Sequence, residues 1–242
     1  FCAECNVEHH VDLDGDKCPI CDGLLSSRSA KMSKSLGNTV SPEVMIEKYG
    51  ADTVRLFILF GANPEAGMDW SDSAIDSNYR QMRAIHSALL QGIGNDSDSG
   101  MMDEWLLARA RSARENWVKC MSDVGLRDGV MISHFEMVTD WQWAQRRGGV
   151  SAKASHEYLA TWIPMLYPAT PHLAEEMWKM SGHDTMLALT TLDLETEIPP
   201  SSRDRIVLGQ EEYLRRVIDR ARSVRELAER HTDGDLSAVI IQ

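Results

Sequence analysis

Apolar and polar positions divide the chain into two unequal parts. From about Ser71 onward, apolar residues recur at helical spacing between short polar or glycine-rich breaks. The spacing predicts a helix from about Ser71 to Leu90. A second is expected from Asp103 to Val124, with Trp105, Leu106, Ala113, Trp117 and Met121 near one face. A third spans Asp128 to Gln145, carrying Val130, Phe135, Val138 and Trp141. Residues 151–167 and Pro171–Met180 give two more. A last long helix is expected over about Gln210 to Arg230, with Leu214, Val217, Ile218, Ala221, Val224 and Ala228 on one stripe. "QGIGNDSDSG" reads as a flexible polar break, "LDLETEIPPSSRDR" as a linker and "LSAVIIQ" as a strand. The tryptophans and tyrosines are expected to fill the core of the resulting bundle.

Upstream the pattern is less regular. Ser41 as N-cap, Pro42 at the first helical position and Gly50 as a stop define a short helix. Periodicity does not decide whether the next run, "ADTVRLFILF", is a buried strand or a helix. Asp52 as a cap inclines it to helix. "GANPEAGMDW" reads as a loop.

Composition changes this picture only in part. The 242 residues are 43% hydrophobic, ordinary for a globular protein, and no apolar run approaches the roughly 18 residues of a membrane span. The net charge of -12 fits a solvated acidic surface and argues against broad non-specific binding of nucleic acid. A local basic face remains compatible with it. The opening "FCAECNVEHH" has neither the basic region nor the apolar region of a signal peptide. A chain that opens inside a cysteine cluster is expected to be a piece of a longer, cytoplasmic protein.

Cys2, Cys5, Cys18 and Cys21 form two CxxC pairs separated by a gap of twelve residues. Four thiolates in two tight pairs suit tetrahedral zinc, each turn supplying two ligands. Four cysteines complete the shell, so the predicted metal is structural. Gly15 and Gly23 are expected to supply the backbone freedom of the two turns. His9 and His10 lie between the pairs and read as exposed or as neighbours of the ligands. Cys120 stands alone in a helical pattern and is expected to be a small buried apolar residue.

The next stretch, "AKMSKSLGN", sets two lysines three apart on a serine- and glycine-rich loop. Lys31 and Lys34 can turn toward one anion, with Ser33, Ser35 and backbone N–H groups as donors. A polyphosphate suits that set, because a positioned ammonium stabilises charge on departing pyrophosphate. By composition alone, a merely solvated loop remains open.

The string itself goes further. Lys31-Met32-Ser33-Lys34-Ser35 matches the KMSKS signature of class I aminoacyl-tRNA synthetases. Gly37, Asn38, Pro42, Tyr49 to Asp52, Arg55 and Leu56 follow it as in that family. Far downstream, "LYPATPHLAEEMW" resembles the PxxPHxAEELW helix of the family's anticodon-binding bundle, through Pro168, Pro171, His172, Ala174, Glu175, Glu176 and Trp178. The run from Ala51 to Asp76, with its Trp70-Ser71-Asp72-Ser73 segment, looks most like leucyl-tRNA synthetases. The tail resembles their archaeal and eukaryotic members.

The resemblance implies a mainly α fold that is the remnant of a larger Rossmann-based α/β enzyme. It implies a zinc knuckle at 1–28 and a KMSKS loop with its connecting segment at 29–70. A helical anticodon-binding-type bundle would follow at 71–200, and the start of a C-terminal helix–strand domain at 201–242. It implies activation of leucine with ATP, accompanied by Mg2+, and transfer to tRNA(Leu). Lys31 and Lys34 would be catalytic, and Lys31, Ser33, Lys34 and Ser35 would bind the ATP phosphates. Met32 is expected to pack inward. The family's HIGH tetrapeptide is absent from the sequence. The chain is therefore expected to be inactive alone and to need the N-terminal remainder of the synthetase as partner, with no membrane. Enzymes for valine, isoleucine or methionine, and a non-catalytic tRNA-binding module, are the alternatives.

Phosphate contacts call for basic residues. The candidates are Arg80, Arg83, Arg109, Arg111, Arg114, Arg146, Arg147, Arg215, Arg216, Arg220 and Arg222. Each alone reads more simply as paired with Asp or Glu at helical spacing. His172 is expected to pack or cap within the bundle.

Overall fold

The computed structural model describes residues 2–7, 17–26, 32, 39–61, 67–68, 70–191 and 201–231. Among them the architecture is helical, with isolated β-bridges only around the cysteines. Two short helices, α1 (Pro42–Tyr49) and α2 (Ala51–Gly61), lead into a bundle of α3 (Asp72–Ile93), α4 (Asp103–Ser122), α5 (Leu126–Met131), α6 (Met137–Arg146), α7 (Ala152–Leu166) and α8 (Pro171–Met180). The long α9 (Ser202–His231) closes it. No helix of the described residues is long and apolar enough to cross a membrane.

The run that periodicity left undecided is helical. In α2, Val54, Leu56 and Phe57 are buried, a helical face and not an alternating one. Gly50 separates α1 from α2 at φ 83°, a left-handed conformation that glycine adopts without strain. Pro42 opens α1, but the Ser41 side chain makes no capping bond.

The main core lies between α3, α4, α6, α7 and α8. Trp105, Trp117, Trp141, Trp162 and Trp178 are buried in it with Tyr158. These six aromatics form the core as the sequence suggested, whereas Trp143 and Tyr167 only border it and Tyr79 and Tyr213 are exposed. Two smaller clusters join α2 to the bundle. Tyr49, Val54, Phe57 and Ile75 form one, and Leu56, Val130 and Ala169 the other. Cys120 is only half-buried at the core's margin.

Three expectations need correction. The "QGIGNDSDSG" segment is docked rather than loose. Ala152 donates its N–H to Ser97, Asn95 reaches the Val150 carbonyl, and Met102 donates to Gly149. At Gly100 a Cβ would lie 2.3 Å from the Val150 Cα, so only glycine permits this approach. The third helix is interrupted: Ile132–Glu136 form a π-helical turn between α5 and α6. That turn holds His134 fully buried, bonded to Ser133 Oγ at 2.8 Å and Thr170 Oγ1 at 3.0 Å. Finally, α9 begins at Ser202, within the expected linker. Ser201 and Asp204 explain this, because each accepts a backbone N–H from the other, the reciprocal bonds of a capping box.

Candidate functional site

The four cysteines of the first segment converge. Their sulfur atoms all lie within 4.8 Å of one another, with Cys2 Sγ 3.3 Å from Cys21 Sγ and Cys5 Sγ 3.6 Å from Cys18 Sγ. A disulfide needs about 2.05 Å, so these are four free thiols. Ligands about 2.3 Å from a tetrahedral zinc stand about 3.8 Å apart, close to what the cluster shows. The turns are built from main-chain bonds, Cys2 N–H to the Val7 carbonyl and Cys18 N–H to the Gly23 carbonyl.

The left-handed residue of each turn is not a glycine. Asn6 and Asp22, each directly after the second cysteine of its pair, take φ 57° and 63°. Both residue types tolerate this conformation. Gly15, His9 and His10 lie outside the described residues.

The thiols do not ionise alike. The Cys5 backbone N–H pulls the Cys2 thiol down to about 7, against the effect of burial. For Cys21 the Gly23 N–H also pulls down, but bonding to Cys2, burial and the other two thiols push it up to about 12. Burial likewise raises Cys5. One thiolate thus suppresses its neighbours, and a bound cation would release the remaining protons. The donor set fits zinc.

Lys31, Ser33, Lys34 and Ser35 lie outside the described residues. Met32, expected to pack inward, is instead exposed.

Most of the candidate arginines are engaged within the protein, and several across helices rather than along them. Arg109 donates to Asp140 at 2.6 Å, and Arg111 to Asp204 at 2.6 and 3.0 Å. Arg147 meets Glu211 at 3.0 Å. Arg215 reaches Asp140 at 3.3 Å while its guanidinium lies between the rings of Trp105 and Trp143. Arg216 and Arg222 follow the expected helical spacing, with Glu212 and Asp219. Arg80 bonds Ser77, and Arg146 lies over Trp143. Arg83 and Arg220 are exposed and make no ion pair among the described residues. Sequence spacing could not reveal the cross-helix partners.

What sequence reasoning missed is a seam joining its two separated motifs. Asp52, in the first turn of α2, is buried against the start of α8. Its Oδ1 accepts from His172 Nδ1 at 2.7 Å and its Oδ2 from the Leu173 N–H at 2.8 Å. Asp52 therefore caps α8 across 120 residues rather than its own helix. Thr170, the residue in the N-cap position of α8, makes no cap bond, because its hydroxyl is turned to His134 and the Leu166 carbonyl. Arg55 adds two bonds to the same turn, to the carbonyls of Ala169 (3.0 Å) and Pro168 (2.8 Å). Arg127 donates to the Phe60 carbonyl at the other end of α2. In "PHLAEEMW" Glu175 is also structural: it accepts the N–H groups of Leu187 and Ala188.

Two family models match the chain. That for the anticodon-binding domain of tRNA ligase covers residues 103–240, and that for class I tRNA synthetases (I, L, M and V) covers residues 18–71. Fold and matches define the class: a class I tRNA synthetase segment running directly into a helical anticodon-binding bundle. The chain belongs to the tRNA ligases with this anticodon-binding domain, and the curated relatives it resembles are leucine–tRNA ligases. That of Thioalkalivibrio sulfidiphilus is 29% identical over 92% of this chain and 30% of its own length. That of Methanosarcina acetivorans is 31% identical over 78% and 20%. That of Geobacter sp. (strain M21) is 35% identical over 68% and 21%. The chain thus spans between a fifth and a third of these relatives. The fold is also that of a LeuRS from Agrobacterium radiobacter K84 (agnB2), solved as a ternary complex with tRNA and LeuAMS. Their TM-score is 0.54 and their identity 20%, over 74% of this chain and 23% of that one.

Proposed function

We propose that the chain is the C-terminal portion of a leucine–tRNA ligase, which joins leucine to ATP as leucyl-adenylate and passes the leucyl group to tRNA(Leu). The observation that carries this reading is the likeness to a leucine–tRNA ligase over 92% of the chain, with the KMSKS string just ahead of α1. In the first step the leucine carboxylate attacks the α-phosphate, and the bond to pyrophosphate breaks. Lys31 and Lys34 hold the departing pyrophosphate by charge, with Ser33 and Ser35 binding phosphate or shaping the loop. Mg2+ accompanies the ATP. In the second step a ribose hydroxyl of tRNA attacks the leucyl carbonyl and AMP leaves.

Residues 29–70 supply the loop and its connection to the bundle, 71–200 the tRNA-binding bundle, and 201–242 the start of a further unit. Of the candidate arginines, Arg83 and Arg220 are exposed and free of ion pairs among the described residues, which leaves them open to phosphate. The protein works in the cytoplasm, with tRNA(Leu), ATP, leucine and the N-terminal remainder of the synthetase as partners. The 242 residues alone lack the HIGH tetrapeptide and are inactive in exchange.

Cys2, Cys5, Cys18 and Cys21 hold a structural zinc, whose chemistry is to cross-link the two turns in a closed shell. Metal analysis should find about one zinc per chain, and chelation should unfold the two cysteine turns while leaving the bundle's thermal transition in place.

The decisive measurement is ATP–pyrophosphate exchange with a panel of amino acids, in the chain completed with a synthetase N-terminal part. Leucine-dependent exchange is expected, with Lys34→Ala lowering kcat by about 100-fold or more. Exchange with valine, isoleucine or methionine would move the enzyme within its class. No exchange despite intact tRNA binding would leave a binding module.

A further inference from the structure

We infer that Asp52 and Arg55 are positioning residues that fix the C-terminal root of the KMSKS loop to the helical bundle. The inference rests on the function proposed above and adds to it a route by which the bundle acts on the first chemical step.

Only six residues, 36–41, separate Ser35 from the first residue of α1. Whatever holds α1 and α2 therefore holds the C-terminal root of the loop. The structure shows what holds them. Tyr49, the last residue of α1, donates its hydroxyl to Asp76 Oδ1 of α3 at 2.6 Å. Gly50 then turns the chain directly into α2, so the two helices share one corner. At the start of α2, Asp52 and Arg55 make four bonds to a single turn of the bundle, residues 168–173.

These bonds differ from ordinary packing. Asp52 supplies the cap that α8 lacks, because Thr170 is committed to His134 inside the core. Arg55 takes two carbonyls of the turn between α7 and α8, with its planar fork. Asp52 thus satisfies an open N–H of α8 and Arg55 two carbonyls of the turn that leads into it. The pair is directional, whereas the small apolar clusters around Phe57 and Leu56 would tolerate sliding. A rigid tie matters here because a displacement of about 1 Å at a group that stabilises charge costs on the order of 100-fold in rate.

The first test uses the 242-residue chain. Amide hydrogen exchange is compared for the parent, Asp52→Ala, Arg55→Ala and Arg55→Lys. Exchange over residues 39–49 should accelerate about tenfold in the two alanine variants and less in Arg55→Lys, while α4 and α7 stay protected. If Asp52→Ala does not fold, the Arg55 variants carry the same readout, because Arg55 is exposed and its loss buries no unpaired charge.

The second test uses the completed enzyme. Arg55→Ala should lower kcat for leucine-dependent pyrophosphate exchange roughly tenfold or more, with the tRNA dissociation constant within about twofold of the parent and partial rescue by Arg55→Lys. Unchanged protection at 39–49 would overturn the inference. So would altered protection with full kcat, or a parallel loss of tRNA binding, which would mark a bundle merely damaged. A parent without leucine-dependent exchange would defeat the proposed function instead, and hydrogen exchange alone would then decide the tie.

Discussion

Two helices of this protein are held in opposite ways. Of the fifteen residues of α7, nine are buried, among them Tyr158, Leu159, Trp162, Ile163 and Leu166. In the thirty residues of α9, only Asp204 is buried among the described side chains. The second helix is pinned by charge: Arg111 to Asp204, Arg147 to Glu211, and Arg215 to Asp140. Apolar burial is non-directional and acts over a whole face. Ion pairs fix register at points, and they stabilise modestly unless they are shielded from water. The contrast teaches that α7 belongs to the core that makes the domain stable, while α9 is oriented by a few specific contacts laid over it.

The largest effect should come from breaking the α7 side. Trp162 is fully buried, packs edge-to-face on Tyr158 and donates to the Ser133 carbonyl at 2.7 Å. Trp162→Ala should cost about 3–5 kcal/mol, read from the urea midpoint, and loosen the whole bundle in hydrogen exchange. On the α9 side, Asp140 is the shared anion of two arginines, and burial holds its carboxyl above the ordinary value despite them. Asp140→Asn leaves Arg215 without its carboxylate and Arg109 with only the exposed Glu136 at 3.7 Å, and should cost about 2–3 kcal/mol, less than a fully buried pair because both guanidinium groups reach solvent. Exchange should accelerate over α9 first, with α7 still protected, and an equal loosening of both helices would erase the distinction.

The smallest effect sharpens the comparison through pH. Burial depresses His134 from 6.5 to about 3, so between those values the unfolded chain binds more protons than the folded one. Stability is then fully present above about pH 6.5 and falls as pH drops toward 3. The loss between pH 7 and 5.5 is about 1 kcal/mol. Urea midpoints across that range should show it, and His134→Gln should flatten the slope. A slope unchanged in that variant would assign the acid sensitivity elsewhere.

Particular elements show how much was legible beforehand. Pro171–Met180 has the bounds that its opening proline and apolar spacing predicted. The bundle's tryptophans were recognisable as core because they fall at helical spacing. The start of α9 was hidden by the two prolines and serines ahead of it, although Ser201 and Asp204 stand at capping-box spacing. The π turn at Ile132–Glu136 carried no visible mark, since it follows from seating His134 between Ser133 and Thr170. The cysteine spacing announced a four-thiol cluster, but not that Asn6 and Asp22 make its turns.

By itself, the sequence determined the helical class, the stretches that bury aromatic faces, the thiol set and the family motifs. All of these reside in spacing along the chain, because a helix or a CxxC turn brings together only near neighbours. Tertiary structure alone decided that Asp52 caps α8, that Arg55 holds the α7–α8 turn, and that Asp140 serves two helices. Those partners lie 75 to 121 residues apart in their longest pairs, and no local pattern encodes them. They exist because buried or half-buried polar groups must find partners wherever the packed helices happen to leave them open.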